Sequence, residues 1–129
     1  MKDKKSKSGE GGTSSLEFKR RLYQWTLRLL NGIKVVPLGV ANTVLVKQLI
    51  RSGTSVLANY VEAGAASSRK DYINFFSYAL KSANESKVWL TLLRDTNPTV
   101  SPELSRLLDE VVELSNILAA RIITMKRKP

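Results

Sequence analysis

The sequence predicts an all-α protein, an antiparallel up-and-down four-helix bundle. Apolar residues recur at helical spacing over almost the whole chain from residue 16 onward, and no stretch alternates as a β-strand does. Breaks rich in Gly, Pro, Asn or Ser divide this pattern into four segments. Because the connections are short, sequential helices should be antiparallel neighbours.

The chain divides into a short tail and one domain. Residues 1–14 are mostly Lys, Ser and Gly and have almost nothing to bury, so they predict a disordered basic tail, whether a solubilising leader or a functional arm. Residues 15–127 are predicted to form the bundle. The tail sets four lysines against Asp3 and Glu10, so most of the net charge of +10 belongs to the folded part.

The first helix is predicted over residues 15–31 and the second over residues 40–65. In the first, one face carries apolar residues at spacings of four, three and four, namely Phe18, Leu22, Trp25 and Leu29. Gly32 supplies a stop signal after it. The connector at 32–39 is apolar, so we expect it to lie on the bundle.

The third helix is predicted over residues 68–95 and the fourth over residues 101–126. Ser68 and Asp71 resemble a capping box at the start of the third. For the fourth, Ser101 is the predicted N-cap, with Pro102 at the first helical position and Glu103 favouring the helix dipole. Its apolar seam follows a heptad pattern, at Leu104, Leu108, Val111, Ser115, Leu118, Ile122 and Met125.

The second helix carries a polar stripe on an otherwise apolar surface. At 100° per residue, five polar side chains fall within an arc of roughly 80°: Gln48, Arg51, Ser55, Asn59 and Glu62. The rest of the helix is apolar over more than half its circumference, which predicts burial against several neighbours, another subunit among them. A hydrogen-bonded seam between helices or subunits is the preferred interpretation, ahead of a catalytic site, because no activating base stands nearby in sequence.

Composition excludes several classes of enzyme. The chain has neither cysteine nor histidine, which removes catalytic triads, thiolate nucleophiles and imidazole or thiolate metal sites. Glu62, Asp71 and Glu85 bring a carboxylate-bridged di-metal bundle to mind, but that class needs Glu-x-x-His pairs. We therefore expect a non-enzymatic protein with no metal and no other cofactor.

The positive charge indicates an anionic partner, most often nucleic acid. In an up-and-down bundle, the starts of the first and third helices and the end of the fourth share one end. We predict nucleic-acid binding around that end, with candidate residues Lys19, Arg20, Arg21, Arg28, Arg69, Lys70, Arg121, Lys126, Arg127 and Lys128. The alternative, that such cations only complement helix dipoles or solvate a surface, stays open. Trp25 and Trp89 lie on or beside apolar faces, which favours core packing over base stacking.

The polar positions of the second and third helices resemble those of the four helix bundle protein family. The matching residues are Gln48, Arg51, Ser52, Thr54, Ser55, Asn59, Glu62 and Gly64, followed by Lys70, Asp71, Tyr72, Ala79, Ser82, Glu85, Trp89 and Leu90. Members of this family are often described as proteins encoded in 23S ribosomal RNA intervening sequences, or as S23 ribosomal proteins. Accessory variability proteins of diversity-generating retroelements are related to them.

The resemblance implies an antiparallel four-helix protomer that assembles into a ring-like homopentamer in a bacterial cytoplasm. It supplies no catalytic residue. Together with the charge, it favours a basic homo-oligomer that binds RNA or DNA with little sequence selectivity. The alternative is a scaffold that binds an acidic protein such as a reverse transcriptase, without binding nucleic acid by itself. No apolar run reaches the roughly 18 residues of a membrane span, so we expect no membrane partner.

Overall fold

The computed structural model describes residues 15–128, and the predicted tail lies outside them. Four helices form an all-α bundle, as predicted: α1 (Ser15–Gly32), α2 (Val40–Gly64), α3 (Arg69–Thr96) and α4 (Ser101–Arg127). No strand occurs between residues 15 and 128. Within the same range, no helix is both long and apolar enough to cross a membrane.

The predicted apolar face of α1 forms one wall of the core. Phe18, Leu22, Trp25 and Leu29 are all buried there. The indole of Trp25 is fully enclosed, and its Nε1–H donates to the carbonyl oxygen of Leu107 on α4 at 3.0 Å. A buried indole N–H needs such a partner, so this bond fixes the position of α1 against α4.

Small residues let α2 and α3 pack closely. Ser86 on α3 is completely buried and donates to the carbonyl of Ser82 one turn earlier. Its oxygen lies 2.8 Å from the hydroxyl of Ser52 on α2, so the two helices share a buried hydrogen bond. Ala79 and Ala83 continue the same buried face of α3. The small-residue face of α3 is therefore its core face.

The starts of α3 and α4 are built differently. Ser68 caps α3 as expected, since its Oγ accepts from the backbone N–H of Asp71 at 3.1 Å. The prediction that Ser101 is the N-cap of α4 is wrong. A 3-10 turn over Pro98–Val100 leads directly into the helix, so Ser101 already has helical dihedral angles and Val100 occupies the cap position without a side-chain bond.

Two asparagines join the helix ends opposite the start of α1. Asn42, near the start of α2, donates to Oδ1 of Asn97 at 2.9 Å, and Asn97 donates back to Oδ1 of Asn42 at 3.0 Å. Asn97 also donates to the carbonyl of Leu93 at the end of α3. This amide pair links the α3–α4 connection to α2, and the sequence pattern gave no indication of it.

Gly53 lies where α2 packs tightly against α1, and its substitution tests this packing. A Cβ at this position would overlap Cδ2 of the fully buried Leu29 and contact the Trp25 ring. Overpacking costs about 1–3 kcal/mol, against a gain in helix propensity of about 1 kcal/mol for replacing glycine. We therefore expect Gly53→Ala to lower the free energy of unfolding in urea by about 1 kcal/mol.

Gly64→Ala is the matched control, because nothing lies within 4 Å of a Cβ at that position. It should leave the stability unchanged or raise it slightly. Equal effects of the two substitutions would contradict the close packing at Gly53.

Candidate nucleic-acid interface

Cations from three helices lie at the end of the bundle where α1 begins and α4 ends. We call this end the basic pole and define it by seven exposed side chains: Lys19, Arg20, Arg69, Lys70, Lys126, Arg127 and Lys128. The contacts between α3 and α4 establish the shared end directly. The Arg69 guanidinium donates to the carbonyl of Lys128 at 3.0 Å and also to that of Met125.

Arg69 has a structural role as well as a charge. The last carbonyls of a helix have no partner within the helix and carry partial negative charge. By donating to two of them at the end of α4, Arg69 satisfies these acceptors and holds the start of α3 beside the end of α4. The sequence placed Arg69 at this end of the bundle but did not indicate that it caps another helix.

Arg121 lies within the bundle beside the basic pole and is half-buried. Its guanidinium carbon is 4.7 Å from the centre of the Phe18 ring, which is a cation–π contact between α4 and α1. Its Nη1 lies 3.4 Å from the hydroxyl of Tyr60, which in turn is 2.6 Å from the Ser15 hydroxyl. Arg121 therefore ties together the start of α1, the end of α2 and the end of α4.

Arg21 and Arg28 do not join the other predicted phosphate contacts. Both point across to α4, where Arg21 pairs with Glu110 at 2.9 Å and Glu113 at 3.1 Å, and Arg28 lies 3.8 Å from Glu110. Burial lowers the pKa of Arg21, but hydrogen bonds and attraction to these carboxylates outweigh it and raise the pKa overall. We therefore leave Arg21 and Arg28 out of the basic pole, while their contact with nucleic acid stays a prediction. The partners of Arg21 lie about 90 positions away in sequence, beyond the reach of a local pattern.

The polar stripe of α2 lies on the surface of the protomer. Gln48, Arg51 and Glu62 are exposed, while Ser55 and Asn59 are half-buried. Asn59 donates to the carbonyl of Ser55 and Ser55 donates to that of Arg51, so these bonds stay within α2. The predicted seam between helices is therefore not present in the described protomer.

Three stripe residues nevertheless share a concave surface with α3. A groove of about 350 Å³ runs between the two helices, and we call it the α2–α3 groove. It is lined by Gln48, Arg51, Ser52, Ser55, Tyr78, Lys81, Ser82, Glu85 and Trp89. Trp89 is half-buried and reaches this groove, whereas Trp25 is enclosed in the core. The prediction that both indole rings pack in the core is correct for Trp25 and only partly correct for Trp89.

Between residues 15 and 128, no group of three or more carboxylates is arranged to hold a metal ion.

The fold and its surface define a basic four-helix-bundle protein with seven exposed cations at one end. The chain belongs to the 23S rRNA-intervening sequence protein family, whose model matches residues 13–120. The basic end of α4 lies beyond the matched residues. A search of curated proteins finds no match to this chain.

A solved structure supports the same assignment. The crystal structure at 1.70 Å of a protein with unknown function from the S23 ribosomal protein family of Bacteroides thetaiotaomicron VPI-5482 is 33% identical to this chain. The alignment covers 81% of this chain and 97% of that one, with a TM-score of 0.72. The family resemblance seen in the polar positions of α2 and α3 is thereby confirmed.

Tyr72, next to Arg121, provides a pH-dependent test of the packing at this end. Burial raises the pKa of Tyr72 above its ordinary value of 10.0, and Tyr60 adds to the rise while Arg121 opposes it. The folded state therefore holds the phenolic proton more tightly than the unfolded state does. The Tyr72 phenol contributes its full stabilisation at pH values below its pKa in the unfolded chain. This contribution is lost as the pH rises through its pKa in the folded protein.

Between about pH 8 and about pH 11, we expect the free energy of unfolding to fall less in Tyr72→Phe than in the parent. The measurement is urea unfolding at each pH. The phenylalanine ring keeps the contact with Phe76, so the comparison isolates the phenolic proton. Identical losses in parent and variant would show that Tyr72 does not contribute to this dependence.

Proposed function

We propose that this protein is a non-enzymatic RNA-binding protein that contacts phosphates through the basic pole. The proposal rests on one observation: exposed Lys and Arg side chains of α1, α3 and α4 lie together at one end of the bundle. Clustered Lys and Arg side chains bind phosphates by charge and need no sequence motif. Such contacts position a nucleic acid without reading its bases, so binding should be weakly selective for sequence.

The charge at this end remains positive after its carboxylates are considered. Glu17, Glu62 and Asp71 belong to the same helix ends, and they are fewer than the seven cations that define the basic pole. The Asp71 carboxylate accepts from the Ser67 hydroxyl at 3.1 Å, beside the cap of α3. The excess of lysine and arginine at one end favours an extended polyanion over a small neutral ligand.

The non-enzymatic part of the proposal is supported by the chemistry of the side chains. The chain offers no histidine or cysteine as a general base or nucleophile. The polar groups of the α2–α3 groove are amide, hydroxyl, indole and charged side chains. Binding by charge is the function that the surface supports best.

Removing two lysines from the basic pole tests the proposal. We expect Lys126→Gln combined with Lys128→Gln to weaken binding of a fluorescent RNA several-fold. It should also lower the slope of log affinity against log salt by about 1.4 for a single strand, if each lysine meets one phosphate. The measurement is fluorescence polarisation between about 50 and about 200 mM salt.

The matched control removes two lysines from the opposite end of the bundle, by Lys34→Gln combined with Lys47→Gln. Both residues line a surface beside the α1–α2 connection, away from the basic pole. This pair should bind RNA almost as the parent does. If both pairs weaken binding equally, net charge and not the basic pole carries it. If the parent binds no RNA at low salt, the alternative of an acidic protein partner replaces this proposal.

We also propose that protomers assemble into a homo-oligomer, with five subunits as the number that the resemblance implies. The end of the α1–α2 connection and the start of α2 expose apolar side chains that a monomer would leave in water: Leu38 is 98% exposed, Val40 is 89% and Val44 is 53%. Several large apolar side chains exposed along one short segment are typical of protein interfaces. A closed ring would repeat the basic pole in every subunit and strengthen a weak contact by avidity.

The polar stripe supplies a test of assembly. Glu62 is exposed and forms no ion pair with any residue between 15 and 128, so Glu62→Ala should change the stability of a single protomer by less than about 0.5 kcal/mol. If the stripe pairs across subunits, the same substitution leaves a buried partner unsatisfied, which costs about 1–3 kcal/mol. We therefore expect a lower mass by light scattering at matched concentration.

Asp109→Ala, which removes an exposed carboxylate from α4, is the control and should leave the mass unchanged. A parent that is monomeric at all concentrations would contradict the assembly proposal. An oligomer that Glu62→Ala does not weaken would place the interface elsewhere.

A further inference from the structure

A second concave surface lies between α3 and α4, next to the basic pole. It is a cleft of about 320 Å³, which we call the pole cleft, lined by Tyr72, Phe76, Ala120, Arg121, Thr124 and Met125. None of its aromatic or sulfur-containing residues was among the predicted contacts for nucleic acid. Its floor is formed by Phe76, which is almost fully buried.

The walls of the pole cleft combine flat apolar surface with polar groups. The half-buried Tyr72 ring packs against Phe76 with 5.0 Å between ring centres, so it presents an aromatic surface held by the core. The hydroxyls of Tyr72 and Thr124 make no hydrogen bond with any described residue. Arg121, held by Phe18 and Tyr60, adds a guanidinium. A planar ring with apolar faces and polar edges complements this set of groups.

The pole cleft is directly connected to the phosphate-binding cations. Met125 lines it, and the carbonyl of that residue accepts from Arg69. Lys126 and Lys128 follow in the chain, and the Lys128 carbonyl also accepts from Arg69. A ring in the pole cleft would therefore have its attached phosphate beside these cations.

We infer that the pole cleft accepts one unstacked base of a single-stranded RNA while the basic pole binds the flanking phosphates. This rests on the RNA binding proposed above and specifies the form of RNA bound. Bases of a duplex are paired and stacked on their neighbours, so they cannot enter a cleft in the protein without being extruded. The protein therefore prefers single strands to duplexes of equal charge.

Filling the pole cleft tests this inference. Stacking of one base on an aromatic side chain corresponds to roughly five-fold or more in affinity. We expect the parent to bind a single-stranded RNA at least that much more tightly than a duplex of half its length, which carries about the same charge. Ala120→Leu, at an exposed position that lines the pole cleft, should remove most of this preference while leaving duplex binding unchanged.

Asn116→Leu is the matched control, one turn earlier on α4 and also exposed, and it should retain the preference for single strands. A photo-crosslink from a 4-thiouridine-substituted strand to a peptide containing Tyr72 or Met125 is the expected direct readout. Equal affinity of the parent for single strands and duplexes would overturn this inference alone, as would an unchanged preference in Ala120→Leu. Absence of binding to either RNA would overturn the proposed function together with it.

Discussion

The close packing of α2 on α3 is the constraint on which the rest of the molecule depends. Ser52 and Ser86 share a hydrogen bond where larger side chains would hold the helices apart. Gly53, the next residue on α2, leaves room for Leu29 and Trp25 of α1. Small residues thus set both the separation of α2 from α3 and the approach of α1. Helices fixed in this way bring their basic ends to one end of the bundle.

Arginine and lysine have different roles in this surface. Arg21 and Arg28 pair with carboxylates of α4, Arg69 caps the end of that helix, and Arg121 packs on an aromatic ring. These contacts use the planar guanidinium, which donates in several fixed directions and stacks on rings. The lysines at the ends of α3 and α4 are exposed point charges on flexible chains. Arginine therefore contributes more to the fold, and the exposed lysines are the groups best able to meet phosphates.

Local periodicity predicted the helices and their buried faces, because burial along a helix repeats every three or four residues. Phe18, Leu22 and Trp25 were assigned correctly on that basis. The misassigned Ser101 shows the limit at helix ends, since a preceding 3-10 turn shifts the first residue without changing the pattern.

The candidate site was less predictable than the fold. Topology alone gave the shared end of α1, α3 and α4. The ion pair of Arg21 with Glu110 and the grouping of Tyr72 with Met125 join different helices, so they depend on helix rotation and register. The polar stripe of α2 was recognised as a stripe, but its position on the protomer surface depends on which neighbours cover α2. No periodicity within α2 contains that information.

The reciprocal pair of Asn42 and Asn97 gives the two ends of the bundle different physical chemistry. At that end, neutral amides hold the helices together, and neutral hydrogen bonds are almost insensitive to dissolved ions. At the other end, Arg69 and Arg121 act through charge, which ions screen. Rising ionic strength should therefore weaken the contacts of these two arginines more than the amide pair at the far end.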